Sequence, residues 1–202
     1  MTDTAEKRPT GTKKQETRKR MIAAADRSFR CSGYAGIGVD GIAKAAGVTS
    51  GAFYAHLGSK DAAFELAVGA GLDEVIENLP KFQQENGAAW MKVFADYYLG
   101  QDHRDNLECG CAMTSLTPEV ARMKGPLNAL YTSKMQTIVG LMVKGLAGCD
   151  QAEKEARSWA VLSTLIGGLN VSRAVGNEAV ADQIAISTKS AALAAAGETS
   201  AG

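Results

Sequence analysis

Apolar side chains recur every three to four residues along most of this chain, the period of an α-helix. No segment alternates apolar and polar positions as a half-buried strand would. Residues 1–14 are polar, contain Pro9 and Gly11 and lack periodicity, so they read as a disordered basic arm. From Gln15 a stripe begins: Met21, Ile22, Ala25 and Phe29 share a face, while Arg18, Lys19, Arg20, Arg27 and Arg30 stay off it. Ser32-Gly33 should stop this helix near Cys31, a residue the stripe assigns to the core. A short helix from about Val39 to Ala46 turns Ile42, Ala43 and Ala46 inward, and Gly47-Val48 breaks it. Thr49 or Ser50 can cap the next, Gly51 to about His56, which adds Phe53 to the core. Gly58 ends that helix. Ser59 then caps a long one, Lys60 to about Asn78, with Asp61 in the first turn where the helix dipole favours a carboxylate.

Beyond Pro80 the pattern predicts a helix over 88–99, carrying Trp90, Val93, Phe94, Tyr97 and Tyr98, and then a polar stretch over 100–108. Cys109-Gly110-Cys111 follows, with further helices over 117–124 and from Pro126 to about Leu146. Two last helices are expected over about 151–174 and 178–196. The fold class is all-α.

Composition agrees: 46% hydrophobic and 22% charged residues suit a soluble globular protein, and only 4 Pro favours helix. No apolar run reaches the roughly 18–20 residues that span a bilayer, so no membrane partner is expected. The first twenty residues hold no apolar signal core, which makes the cytoplasm the expected location. The net charge of zero hides a split. Residues 1–60 carry 11 basic and 5 acidic side chains, net +6, and residues 61–202 carry 11 and 17, net −6. A basic first third on an acidic remainder is expected when one part of a protein meets a polyanion and the other does not.

Within the basic third, 39–46, the turn 47–49 and 50–56 form two short helices at helix-turn-helix spacing. Reading DNA asks for small residues where the second helix enters the major groove, and Thr49, Ser50, Gly51 and Ala52 supply them. It asks for phosphate donors at the rim, and Tyr54, His56 and Lys60 are placed for that, with Arg18 and Val39 completing the candidate set. Residues 18–64 resemble the DNA-binding domain of the TetR family of bacterial transcriptional regulators. The resemblance rests on Phe29, Gly33-Tyr34, Val39, Ile42-Ala43, Ala46-Gly47-Val48, Gly51-Ala52-Phe53-Tyr54-Ala55-His56 and Ser59-Lys60-Asp61. One position departs: Leu57 stands where the family usually has Phe, an apolar exchange at a packing site.

The resemblance implies three units: the arm at 1–14, a reader at 15–60, and a helical effector-binding and dimerisation domain at 61–202. It implies a homodimer joined through the last two helices, set on an inverted-repeat operator of double-stranded DNA with its reading helices roughly 34–36 Å apart. It also implies a small-molecule effector whose binding releases the DNA, which makes the protein a repressor. Trp90, Phe94, Tyr97, Met113, Met123, Tyr131, Met135, Trp159, Ser163 and Asn170 are candidates for the effector pocket. A lining rich in Met and aromatic rings suits an apolar or aromatic ligand.

Cys109 and Cys111 open an alternative, a repressor sensing thiol oxidation or electrophiles, although Asp102, Asp105 and Glu108 nearby would raise rather than lower a thiolate pKa. Both thiols can instead simply pack as small hydrophobes. The other alternative is a non-regulatory DNA-binding protein. No GxSxG, HExxH or P-loop is present, and the glycines at 33–38 lie between helices with no strand before them. Neither an enzyme, a metal nor a cofactor is expected.

Overall fold

The structure, a computed structural model, describes residues 10–108, 110–123, 125–148 and 150–198, with the backbone alone for residues 10–12. The described residues form eleven α-helices and no strand. Helices α1 (Thr10–Gly36), α2 (Val39–Ala45) and α3 (Ser50–Leu57) make the N-terminal unit. The body consists of α4 (Lys60–Asn86), a 3₁₀ turn (Gly87–Ala89), α5 (Trp90–Leu99), α6 (Gln101–Asp105), α7 (Ala112–Ser115), α8 (Thr117–Arg122), α9 (Pro126–Gly145), α10 (Gln151–Ala174) and α11 (Glu178–Ala195).

The N-terminal unit closes around Met21, Ala25, Phe29, Ile42, Ala46, Phe53 and Leu57, all buried. Phe29 meets Phe64 of α4 edge-on, with centroids 5.0 Å apart. Helix α1 starts at Thr10, so residues 10–14 of the expected arm are helical, and residues 1–9 lie outside the described residues. The stop expected at Ser32-Gly33 is present as a break, since Gly33 adopts φ +68 and ψ 175 before one last helical turn. Cys31 departs from expectation: it is exposed. Two positions past Phe29 it lies about 200° round the helix, off the buried stripe. Gly47, at φ +65, reverses the chain between α2 and α3. Of the two candidate caps for α3 it is Thr49 whose hydroxyl accepts from the Ala52 amide, at 3.2 Å. Ser59 caps α4 in the same way, accepting from Ala62 at 3.0 Å.

Helix α4 does not stop at Asn78 but runs through Pro80 to Asn86. An interior proline costs about 3 kcal/mol or more in lost hydrogen bonding and steric clash. The turns on either side of it offset that cost by burying apolar surface. Leu79 is buried, Phe82 packs on Phe94 and Tyr97 at 5.5 and 5.3 Å, and the Gln83 amide donates to the Leu141 carbonyl at 2.9 Å. The polar stretch at 100–108 holds the short helix α6. Helices α9, α10 and α11 fall within one residue of their expected bounds. Asp150 and Asn177 cap the last two. Helices α10 and α11 lie so close that a Cβ on Gly168 would sit 2.2 Å from the Thr188 side chain.

Candidate nucleic-acid interface and ligand cavity

Phe53 and Leu57 turn one side of α3 into the core, and the opposite side, with Gly51, Tyr54 and Ala55, is exposed beside Thr49 and Lys44. A Cβ on Gly51 would meet only the Thr49 hydroxyl, at 3.9 Å. Nothing inside the protein requires a glycine there. Arg18 is exposed on α1. Three candidates for DNA contact are committed to the protein itself. Val39 and Ala52 are half-buried against the core, and the Ser50 hydroxyl donates to Asp40, which ties the starts of α2 and α3 together. His56 is half-buried, with its Nδ1 buried and without a hydrogen-bond partner. Lys44 and Ala55 were not among the candidates. The helical period places Ala55 four residues after Gly51, which is the signal that finds it.

Lys60 does not project freely. Its ammonium lies 4.4 Å from the centroid of the Tyr34 ring. The Tyr34 hydroxyl donates to Asp61, and that bond pushes its pKa up to about 12. The base of α4 is thus fastened to the turn after α1, with Lys60 held at the junction.

In the body, α4, α5, His103 and the stretch Cys111, Ala112 and Met113 border a cavity of about 300 Å³. Val75, Leu79, Phe82, Phe94, Tyr97, Tyr98, Ala112 and Met113 form its apolar wall, and Glu74, Asn78, Lys81 and Glu85 of α4 also border it. His103 and Cys111 are its other polar lining. Of the residues expected in an effector pocket, Phe94, Tyr97 and Met113 line this cavity. Tyr131, Met135, Trp159 and Ser163 line a different depression, of about 400 Å³, between α9 and α10. Trp90, Met123 and Asn170 line neither. The Trp90 indole is turned away to donate to the Gly145 carbonyl at 2.9 Å, Met123 is half-buried at the end of α8, and Asn170 is exposed on α10. Leu79 and Phe82 were not foreseen as lining because they lie past the expected end of α4.

Three lining groups, Tyr98, Cys111 and His103, are held neutral. Burial drives the Tyr98 hydroxyl well above its ordinary range, and that hydroxyl pairs with Thr114 at 2.7 Å. Burial also raises the Cys111 thiol, so it stays protonated at neutral pH. This removes the acidic, accessible thiol that a sensor at Cys111 would require. Cys109 lies outside the described residues. For His103, burial and then the Arg173 charge lower the pKa. Its Nδ1 lies 3.0 Å from the Tyr98 carbonyl, so the neutral ring carries its proton on Nδ1 and leaves Nε2 as a lone-pair acceptor. Among the described residues, no group of three His, Cys, Asp or Glu side chains could hold a metal ion.

Two arginines fix the segment that closes the cavity. Arg30 of α1 is buried, pairs with Asp26 at 2.6 Å and Glu74 at 3.2 Å, and donates through its Nη1 to the Gly110 carbonyl at 2.5 Å. Arg173 of α10 donates to the His103 carbonyl and to Ser115. A Cβ on Gly110 would fall 2.5 Å from the Arg173 guanidinium, and one on Gly71 would fall 2.5 Å from the Ala112 Cβ. The Gly110 segment therefore sits between a helix of the N-terminal unit and a helix of the body. No helix among the described residues is long and apolar enough to cross a membrane.

Residues 21–67 match the sequence model of the bacterial regulatory proteins of the tetR family. No curated protein matches the chain. Several solved structures share its fold. A TetR-family transcriptional regulator from Agrobacterium tumefaciens superposes with a TM-score of 0.72 at 14% identity, covering 87% of this chain and 97% of the other. The reduced form of NemR from E. coli gives 0.70 at 16% identity, with 87% and 97% covered. A TetR-family transcriptional regulator from Streptomyces coelicolor gives 0.70 at 17%, with 90% and 97% covered. At these identities the likeness is one of fold.

Proposed function

On the premise that residues 21–67 make this chain a DNA-binding regulator of the tetR family, we propose that it is a repressor. It binds an inverted-repeat operator as a homodimer and leaves it when a small molecule fills the body. The family is one of transcriptional regulators, not of enzymes. The reader comprises residues 15–60, and the effector-binding and dimerisation body comprises residues 61–202. One observation carries the DNA contact: the exposed face of α3, where Gly51 leaves room that the protein's own packing does not use. A backbone free to approach closely is what entry into the major groove requires. Thr49, Gly51 and Ala55 face the bases in this reading. Tyr54, His56, Lys44, Lys60 and Arg18 hold phosphates, and Val39, Ser50 and Ala52 keep the reading helix in place.

The uncharged outer faces of the last two helices support the dimer. From Trp159 to Ala174 the exposed positions of α10 include Ser163, Gly167, Asn170 and Val171 and no charge. On α11 the exposed run Gln183, Ile186, Ser187, Ser190 and Ala194 is likewise uncharged. Covering such faces with a second copy removes apolar surface from water, which is the main drive for association. Asn170 belongs to this face rather than to a ligand site.

The Arg30–Gly110 bond supports communication between cavity and reader. A ligand that moves the Gly110 segment pulls on α1, and with it on the spacing of the two reading helices. A hundredfold loss of DNA affinity needs the ligand to favour the released conformer by only about 2.7 kcal/mol. Selection of DNA from a random pool by the purified protein tests the reading. The expected product is an inverted repeat with half-sites about one helical turn apart, bound far more tightly than scrambled DNA at the same salt. Equal affinity for both would remove the specific regulator and leave a general DNA-binding protein.

A further inference from the structure

We propose that the cavity between α4 and α5 takes a neutral aromatic molecule of about two rings that donates a hydrogen bond to Nε2 of His103. The inference rests on the regulator reading and names the class of effector within it. Size comes first. The cavity measures about 300 Å³, and a dry apolar cavity of about 150 Å³ is enough for benzene. Two fused rings therefore match the space. The shape of the wall follows. Phe82 meets Phe94 at 5.5 Å and Tyr97 at 5.3 Å along the cavity, offering ring faces and edges to a flat ligand.

Charge comes next. In the buried part of the wall Tyr98, Cys111 and His103 are all held in their neutral forms, and the charged groups that border the cavity, Glu74, Lys81 and Glu85, are exposed on α4. Two cations lie behind this part of the wall: Arg30, paired with Asp26 and Glu74, and Arg173, whose guanidinium is turned to the His103 carbonyl and Ser115. Lys81, which borders the cavity, donates its ammonium to Asn78 at 2.8 Å. A carboxylate or an ammonium placed against Tyr98, His103 and Cys111 would lose its hydration and find no opposite charge among these lining groups, which is unfavourable. A neutral molecule loses far less.

The last step is polar matching. The Tyr98 hydroxyl is spent on Thr114, and the Cys111 thiol is a weak partner. His103 is different: Nδ1 is committed to the Tyr98 carbonyl, and the ring lines the cavity between Tyr97 and Tyr98, 5.2 Å from each. It offers a lone pair and no proton. A ligand hydroxyl or ring N–H satisfies it, whereas an ether or carbonyl at the same place does not.

Calorimetric titration of the full chain with 2-naphthol, 2-methoxynaphthalene and 2-naphthoate tests the proposal. 2-Naphthol should bind about tenfold more tightly than its methyl ether, and 2-naphthoate should bind least. His103→Phe should remove the preference for naphthol over the ether. His103→Gln, which keeps an acceptor, should restore part of it and serves if the Phe variant fails to fold. Equal affinity for naphthol and ether, tightest binding by naphthoate, or no binding of any two-ring probe would overturn the proposal. The same preparations are assayed for selective binding to the DNA chosen from the random pool. Loss of DNA selectivity with the naphthol preference intact overturns the regulator reading and leaves the cavity chemistry standing. The reverse result overturns the cavity chemistry alone.

Discussion

At Gly51 the missing side chain does nothing for the protein's own packing, since a methyl group there would touch only Thr49 at 3.9 Å. A glycine inside a helix is less favourable than alanine by about 0.5–1 kcal/mol. Gly51→Ala should therefore raise stability by up to about that amount in urea denaturation, while binding to the selected operator weakens severalfold or more. Unchanged operator affinity would mean that α3 does not approach DNA at this point. His103 gives a second test on a single residue. Its folded pKa lies below the ordinary 6.5, so near that pH the unfolded chain binds the proton more readily than the folded one. The stabilisation is full above about 6.5 and is lost as pH falls through the lower folded value. The Tm of the parent should consequently drop relative to that of His103→Gln between pH 7.5 and 5.5, and a constant difference would show that the ring is not held neutral. Much of this scale was legible in the sequence: Thr49 and Ser59 as caps, and Ile42, Ala46 and Phe53 as core. Cys31 was not, because the stripe was carried one position too far round α1.

Among the elements, the short helices of the reader were readable because glycines and caps punctuate them. The end of α4 was not, because contacts made by Leu79, Phe82 and Gln83 with helices later in the chain decide whether it survives Pro80. The same limit hid the Arg30 bonds. They join residues 44 and 80 positions apart, and no local pattern marks Arg30 off from the other arginines of α1. Arg30→Met removes one partner of a buried pair and leaves the Asp26 carboxylate uncompensated. That should cost about 3–5 kcal/mol. Adding Asp26→Leu replaces the pair with apolar side chains and should recover most of the stability. Neither variant can hold the Gly110 carbonyl. Amide exchange of residues 112–116 should then be faster in the double variant than in the parent by at least tenfold, with α2 and α3 unchanged. Recovery of stability together with parental exchange would show that Arg30 braces α1 and α4 but does not hold the cavity segment.

Over the whole molecule, the neutral total resolves into +6 over residues 1–60 and −6 over residues 61–202, and in the proposed dimer each reader meets DNA as half of a pair. The family resemblance implies this pairing from the sequence, but the faces that would make the pair emerge only when the exposed positions at 159–174 of α10 and at 183–194 of α11 are seen to lack charge. The division predicts how affinity responds to salt. Each phosphate neutralised contributes about −0.9 to the slope of log affinity against log salt, so a dimer with two equivalent readers has twice the slope of one reader. Ile186 is 71% exposed and Trp159 42% exposed, so Ile186→Lys with Trp159→Lys should leave the fold of each copy intact while placing charges in the shared face. Sedimentation should then report a monomer at micromolar concentration. Its slope on a single half-site should be about half that of the parent on the full operator, with reader residues unaltered. A double variant that remains dimeric would move the interface away from these helices. A monomer that retains the full slope would place phosphate contacts on the acidic body, against the charge division from which the expectation is drawn.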